Sequence, residues 1–126
     1  MADNTTLYQS LMETAAAARE FSYSPYSGYR VGAALLGRSG RVYTGCNVEN
    51  AGYSPTNCAE RTAVFKAVSE GERTFSAIAV VGGLGEALDA ACTPCGVCRQ
   101  VLTEFCASDM PVILGTPEAW QVVTLG

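Results

Sequence analysis

The chain has 126 residues, of which 48% are hydrophobic and 16% are charged, which is the size and composition of one folded domain. Its formal net charge is −4 and its sequence pI is about 4.7. A surface that follows nucleic acid phosphates is basic, so this charge argues against a nucleic acid polymer and favours a small neutral or cationic partner. The sequence contains no apolar segment of the length that a secretory leader or a membrane span requires. We therefore expect a soluble, cytoplasmic protein without a membrane partner.

The first half of the chain predicts a helix followed by a hairpin. Apolar residues recur at helical spacing over 5–21, where Thr6 and Gln9 form a capping-box pattern. Two strand patterns follow over 29–36 and 41–48, and a Gly-Arg-Ser-Gly turn joins them.

The second half predicts two helices and three strands. Asn57 is a suitable N-cap for a helix over 58–70, and the continuous apolar run over 76–82 is typical of a buried strand. Thr93 and Pro94 form the start of a third helix. The chain closes with predicted strands over 111–115 and 119–125.

This order of elements predicts the fold class. A helix lies on either side of the middle strand in the sequence, which favours a mixed five-stranded sheet covered by helices. We expect a layered α/β/α domain, and because no linker rich in Pro, Gly and Ser divides the chain, a single domain over residues 1–126.

The cysteines are the most informative residue type. In a chain without a secretory leader, close-spaced cysteines are more often metal ligands or redox groups than disulfides. Cys46 and Cys106 lie in apolar-patterned segments and are predicted to be free and buried. The six cysteines are Cys46, Cys58, Cys92, Cys95, Cys98 and Cys106.

Three of these cysteines form a candidate metal site. Cys95 and Cys98 lie three positions apart in the first turns of the predicted third helix, so both thiols face one side. Cys58 opens the second helix, and helix N-termini favour thiolates. Three ligands with one open position describe a catalytic zinc.

A carboxylate next to this site is the candidate proton carrier. The chain contains no histidine, so general acid–base catalysis must use another group, and Glu60 is the best placed. On a continuous helix Cys58 and Glu60 would point to nearly opposite faces, so the metal must lie off the helix N-terminus. Arg61, three residues past Cys58, can donate a hydrogen bond to a ligand sulfur.

Other uses of the cysteines remain open at this point. Cys92, Cys95 and Cys98 form a C-x₂-C-x₂-C run that, with Cys58, is able to bind an iron–sulfur cluster and carry electrons. A thioredoxin-like pair at Cys95 and Cys98 is another reading, as is a structural zinc or redox module. These readings leave Glu60 without a role.

The same residues carry a family resemblance. Cys58-Ala-Glu60, followed by Pro94-Cys-Gly-Val-Cys98-Arg-Gln100, resembles the zinc signature of the small cytidine deaminases. Further segments resemble the same family, from about residue 21 to 106: Pro25-Tyr-Ser27, Val31-Gly-Ala-Ala-Leu35, Gly45-Cys-Asn-Val-Glu-Asn50 and Asn57-Cys-Ala-Glu-Arg61.

The resemblance implies hydrolytic deamination of cytidine and deoxycytidine to uridine and deoxyuridine, with release of ammonia, in pyrimidine salvage. It implies one Zn²⁺ per chain, held by Cys58, Cys95 and Cys98, with Glu60 moving protons between water and the base. Deaminases of modified nucleosides or of polynucleotides share the fold, but the acidic pI weighs against polymers.

The resemblance also implies which residues bind the substrate. Asn47 and Glu49 are expected to hold the ribose hydroxyls, which favours a free nucleoside, and Ala59 is expected to contact the substrate. Tyr29 stands where the family usually has a phenylalanine that packs on the base. Relatives continue past the position of Gly126 to a phenylalanine that reaches a neighbouring subunit, so this chain is either trimmed or closes its pocket differently. A homotetramer with sites at subunit contacts is implied.

Overall fold

The structure is a computed structural model that describes residues 5–23, 25, 28–48, 59–84 and 110–124. Within these ranges each helix and strand lies where the sequence predicted one, with ends that differ by a residue or two. The predicted third helix, which would begin at Pro94, lies outside the described residues. In chain order the elements are α1 (Thr5–Arg19), β1 (Tyr29–Gly37), β2 (Val42–Cys46), α2 (Ala59–Ser69), β3 (Phe75–Leu84), β4 (Pro111–Thr116) and β5 (Ala119–Thr124).

The five strands form one mixed sheet in the order β2-β1-β3-β4-β5. β1 pairs antiparallel with both β2 and β3, β3 pairs parallel with β4, and β4 pairs antiparallel with β5. The predicted hairpin and the predicted mixed five-stranded sheet are both confirmed.

The two helices cover opposite faces of this sheet. Along β1, Leu35 packs in the cluster that contains α2, whereas Ala34 and Leu36 pack in the cluster that contains α1. The same alternation runs along β3, where Ile78 belongs to the α2 cluster and Ala79 to the α1 cluster. Because both faces of β3 are buried, its sequence is continuously apolar, as the predicted buried strand requires. The layered α/β/α arrangement is thereby confirmed.

The start of α1 differs from its prediction. The helix already includes Thr5 and Thr6, so the capping box at Thr6 is wrong. The side chain of Gln9 reaches across to β5 and the turn before it: its oxygen accepts a hydrogen bond from the Trp120 indole at 2.7 Å, and its nitrogen donates to the Pro117 carbonyl at 2.8 Å. A contact with a distant part of the chain has replaced the local one. Neither described helix is long and apolar enough to cross a membrane.

Candidate active site at one end of the sheet

One end of the sheet brings together three of the positions that the sequence singled out: Tyr29, Asn47 and Ala59. Tyr29 begins β1 and pairs with Leu84, the last residue of β3. Asn47 directly follows β2, and α2 begins at Ala59 against the same strand, where its first turn lies over Gly45. The start of β1, the end of β2 and the start of α2 therefore lie side by side.

Asn47 is held in place by both its backbone and its side chain. Its carboxamide oxygen accepts hydrogen bonds from the backbone N–H of Val31 at 2.9 Å and from the Ser22 hydroxyl. Its backbone donates to the Val31 carbonyl at 3.2 Å and accepts from the N–H of Tyr23 at 3.1 Å. The carboxamide oxygen is therefore committed to two protein donors, which fixes the orientation of the side chain.

The beginning of α2 is buried against β2. Ala59 is 0% exposed. Three residues on, the Thr62 hydroxyl donates a hydrogen bond to the carbonyl of Cys46 at 3.2 Å. Helix α2, which contains Glu60, is thus attached to the end of β2 that precedes Asn47.

The remaining predicted site residues are described in part or not at all. Glu60 and Arg61 lie in the first turn of α2 and Tyr29 opens β1, and for these three the structure describes the backbone only. Their roles, like that of Ala59 at the substrate, stay predictions. Four predicted residues lie outside the described residues: Glu49, Cys58, Cys95 and Cys98.

The geometric condition set for Cys58 and Glu60 stays a prediction, because Cys58 lies outside the described residues.

The donor chemistry of the predicted ligands fits zinc. Cys58, Cys95 and Cys98 offer three thiolates in a chain without histidine, and soft thiolate ligands favour Zn²⁺ over the hard cations Mg²⁺ and Ca²⁺. Among residues 5–23, 25, 28–48, 59–84 and 110–124, no other group of His, Cys, Asp or Glu side chains is arranged to hold a metal.

Cys46 lies beside the site and has a different character. It is free, as predicted, but only partly buried, and burial raises the pKa of its thiol while the nearby Lys66 ammonium acts in the opposite direction. Cys106, the other cysteine predicted to be free and buried, lies outside the described residues. Cys46 lines a cavity of about 340 Å³ between α1, β2 and α2, to which Phe21 and Thr62 also contribute. A protonated, weakly nucleophilic thiol is expected there.

Sequence reasoning missed the residues that hold the site in place. Ser22 and Val31 fix the side chain of Asn47 through contacts that no local pattern reveals. Gly45 and Thr62 join β2 to α2. A glycine inside an apolar strand was the one available signal, because such a glycine often marks a close approach of another backbone.

Known proteins match this chain over most of its length. Residues 5–114 match the family model described as the cytidine and deoxycytidylate deaminase zinc-binding region. A cytidine deaminase of Sporosarcina psychrophila is 58% identical over 97 residues, which cover 77% of this chain and 68% of that protein. One of Halalkalibacterium halodurans is 53% identical over 107 residues, which cover 85% and 78% respectively.

Solved structures agree with the sequence matches. The crystal structure of cytidine deaminase from Burkholderia pseudomallei superimposes with a TM-score of 0.84 at 47% identity, covering 93% of this chain and 91% of that one. The layered fold and the family's zinc-binding region place this protein among the zinc-dependent hydrolases. More narrowly, the chain belongs to the cytidine and deoxycytidylate deaminase family.

Proposed function

We propose that this protein catalyses the hydrolytic deamination of cytidine and deoxycytidine to uridine and deoxyuridine, with release of ammonia, in pyrimidine salvage. The observation that carries the proposal is the shared location of Asn47 and the first turn of α2. The family match assigns the chemistry, and this location brings the expected sugar-binding residue next to the helix that bears Glu60.

Zinc supplies the means of making water nucleophilic at neutral pH when it is bound by Cys58, Cys95 and Cys98. Arg61 is proposed to donate a hydrogen bond to a ligand sulfur and so to offset part of the charge of three thiolates.

The proton transfers fall to Glu60. Its carboxylate takes a proton from the attacking water and delivers it to ring nitrogen 3 of the base. It then takes the remaining proton of the added hydroxyl and delivers it to the amino nitrogen, so that the bond between ring carbon 4 and this nitrogen breaks and ammonia leaves. A carboxylate in this role must change protonation state during each turnover, which an amide cannot do.

Binding and orientation fall to residues at the strand ends. Asn47 and Glu49 are proposed to hold the ribose hydroxyls, with the amide nitrogen of Asn47 as donor. Tyr29 is proposed to pack on the base, and Ala59 to contact it. Binding energy from the sugar then positions the base for reaction, so free cytosine is expected to be a poor substrate.

The working protein is proposed to be a cytoplasmic homotetramer of single-domain chains, residues 1–126, with sites at subunit contacts. Its substrate is a small nucleoside. The net charge of −4 and the carboxylate of Glu49 both disfavour the phosphates of a polynucleotide.

Glu60→Gln tests the proposed chemistry. The fall in ultraviolet absorbance when cytidine becomes uridine measures turnover, and metal analysis should find one zinc per chain. We expect Glu60→Gln to keep zinc and lose at least roughly 10²–10⁴-fold in turnover, the usual contribution of a general acid–base group.

Glu70→Gln is the matched control, since Glu70 lies just beyond the far end of α2 in an exposed ion pair with Arg41. It should retain full turnover. A zinc-loaded Glu60→Gln enzyme with wild-type turnover would remove Glu60 from the mechanism. A wild-type protein that carries zinc but leaves cytidine unchanged would overturn the proposed function.

A further inference from the structure

The contact between β2 and α2 carries a further assignment. We infer that Gly45 and Thr62 are positioning residues that set where Glu60 stands relative to the sugar-binding end of β2. The inference rests on the proposed function, because it concerns the reaction in which Glu60 transfers protons.

Gly45 is a glycine because of the space it leaves free. A Cβ at this position would overlap the carbonyl oxygen of Ala59 and would lie 2.6 Å from the backbone nitrogen of Ala63. Both are backbone atoms of α2, so no side-chain rotation relieves the overlap. Ordinary carbon contacts begin near about 3.5 Å, so any side chain at Gly45 pushes the first turn of α2 away by on the order of 1 Å.

The backbone conformation of Gly45 does not itself require glycine. The positive φ angles of the described glycines belong to other positions: Gly28, Gly40, Gly71 and Gly115. Gly45 lies within β2, in a conformation open to any residue. The requirement at this position is therefore the close approach of the helix, and alanine tests that approach without adding backbone strain.

Thr62 fixes the same contact from the helix side. Its hydroxyl donates to the carbonyl of Cys46 at 3.2 Å, joining the first turn of α2 to the last residue of β2. Asn47 is the next residue along. One short connection thus links the residue proposed to hold the sugar to the turn that holds Glu60.

This connection predicts a particular kinetic signature. If α2 shifts on β2, Asn47 keeps its partners Val31 and Ser22 and the sugar still binds, whereas Glu60 moves relative to the base. A misplacement of about 1 Å in a catalytic group can cost on the order of 10²-fold in rate. Substitutions here should therefore lower kcat and leave KM nearly unchanged.

Thr62→Val is the decisive variant because it preserves shape and removes only the hydroxyl. We expect kcat for cytidine to fall by roughly 3–10-fold, since the hydrogen bond from the Thr62 hydroxyl to the Cys46 carbonyl is lost, with KM within a factor of about two. Thr62→Ser should restore kcat. Gly45→Ala should lose roughly 10²-fold in kcat, and should lose zinc to a chelator faster than the wild type because Cys58 immediately precedes α2.

Thr14→Val is the matched control. The Thr14 hydroxyl bonds to the Ser10 carbonyl at 2.9 Å within α1, so the same substitution there disturbs a helix that bears no proposed catalytic residue. It should leave kcat and KM unchanged.

Three outcomes would overturn the assignment. In the first, Thr62→Val and Thr14→Val have the same kcat; in the second, Thr62→Val raises KM instead of lowering kcat. In the third, Gly45→Ala folds with wild-type kcat and zinc retention. If Gly45→Ala does not fold, the Thr62 series decides. A wild-type protein without activity would instead contradict the proposed function, and the chelator comparison would then test the position of α2 by itself.

Discussion

An arginine lies near each end of the β1–β2 hairpin, Arg19 at the end of α1 and Arg41 just before β2, and the two side chains are used differently. At the site end, Arg19 is 3% exposed and donates to the backbone carbonyls of Arg30 at 3.0 Å and Gly83 at 3.1 Å. Those two residues are partners in the register of β1 and β3. At the far end, the Arg41 side chain is 64% exposed and pairs with Glu70 at 3.1 Å.

The difference shows where polar contacts determine structure. At the far end the polar groups pair with one another in water, where ion pairs contribute little. At the site end a polar side chain binds backbone groups instead: the Arg19 guanidinium donates to the buried Gly83 carbonyl and to the partly buried Arg30 carbonyl, so its loss removes a donor from both. The same substitution should therefore lower the free energy of unfolding by different amounts at the two ends.

Replacing each arginine with methionine should give the largest contrast. Arg19→Met removes the donor from two carbonyls at the β1–β3 pair, at about 1–3 kcal/mol for each group left unsatisfied. We expect the free energy of unfolding in urea to fall by about 2–5 kcal/mol. Arg41→Met should change it by less than about 1 kcal/mol, as is usual for exposed ion pairs. If the two variants lost equal amounts of unfolding free energy, the buried contacts of Arg19 would contribute no more to stability than the exposed ion pair of Arg41.

Asn47 allows a finer test because its carboxamide oxygen binds Val31 and Ser22, whereas its nitrogen is proposed to bind the sugar. Asn47→Asp keeps an oxygen for Val31 and Ser22 but replaces the nitrogen proposed to donate to the sugar. We expect stability close to the wild type and a loss of roughly 10–100-fold in kcat/KM for cytidine, with the weak reaction of cytosine unchanged.

Asn47→Ala is the companion variant, since it removes both roles and should also lower stability. If Asn47→Asp reduced cytidine and cytosine turnover in equal proportion, the residue would support the fold alone and would not bind ribose.

Substitution of Cys46 should give the smallest effect, visible only in how steeply the free energy of unfolding changes with pH. Burial raises the pKa of this thiol in the folded protein above its ordinary value. The folded state therefore holds the proton more tightly. The corresponding stability is fully present below the ordinary thiol pKa, about 8.5, and is lost as the pH rises through the folded value.

The measurement is a comparison of urea denaturation for the wild type and Cys46→Ala between neutral and alkaline pH. The stability of the wild type should decline more steeply than that of the variant above about pH 8.5. Parallel pH profiles would mean that the thiol titrates alike in the folded and unfolded states.

The fold was largely predictable because its elements are encoded locally. The β3 run is apolar throughout since both of its faces are buried, and the helical pattern of α1 follows the single face that packs on the sheet. Prediction failed where a contact with a distant part of the chain determines the position of a side chain: Gln9 binds Trp120 and Pro117 instead of capping its own helix.

The candidate site was predictable to a different degree. Its residue types came from motif spacing, and the structure places Asn47 and the start of α2 at one end of the sheet. The double role of Asn47 and the close approach at Gly45 depend on residues far apart in the sequence, which spacing does not encode. Spacing therefore indicated the chemistry of the site but not what holds it together.

The location of β1 has a consequence for hydrogen exchange. This strand pairs with β2 on one side and β3 on the other, and α1 and α2 cover its two faces. Its amide protons should exchange with solvent only when the domain opens globally, whereas β5, with Val122 and Val123 exposed, should fray first. β1 and β3, which are both paired on two sides and covered on two faces, are thus expected to be the slowest parts of the described chain to open, and nucleosides would bind against a surface that remains closed through many turnovers.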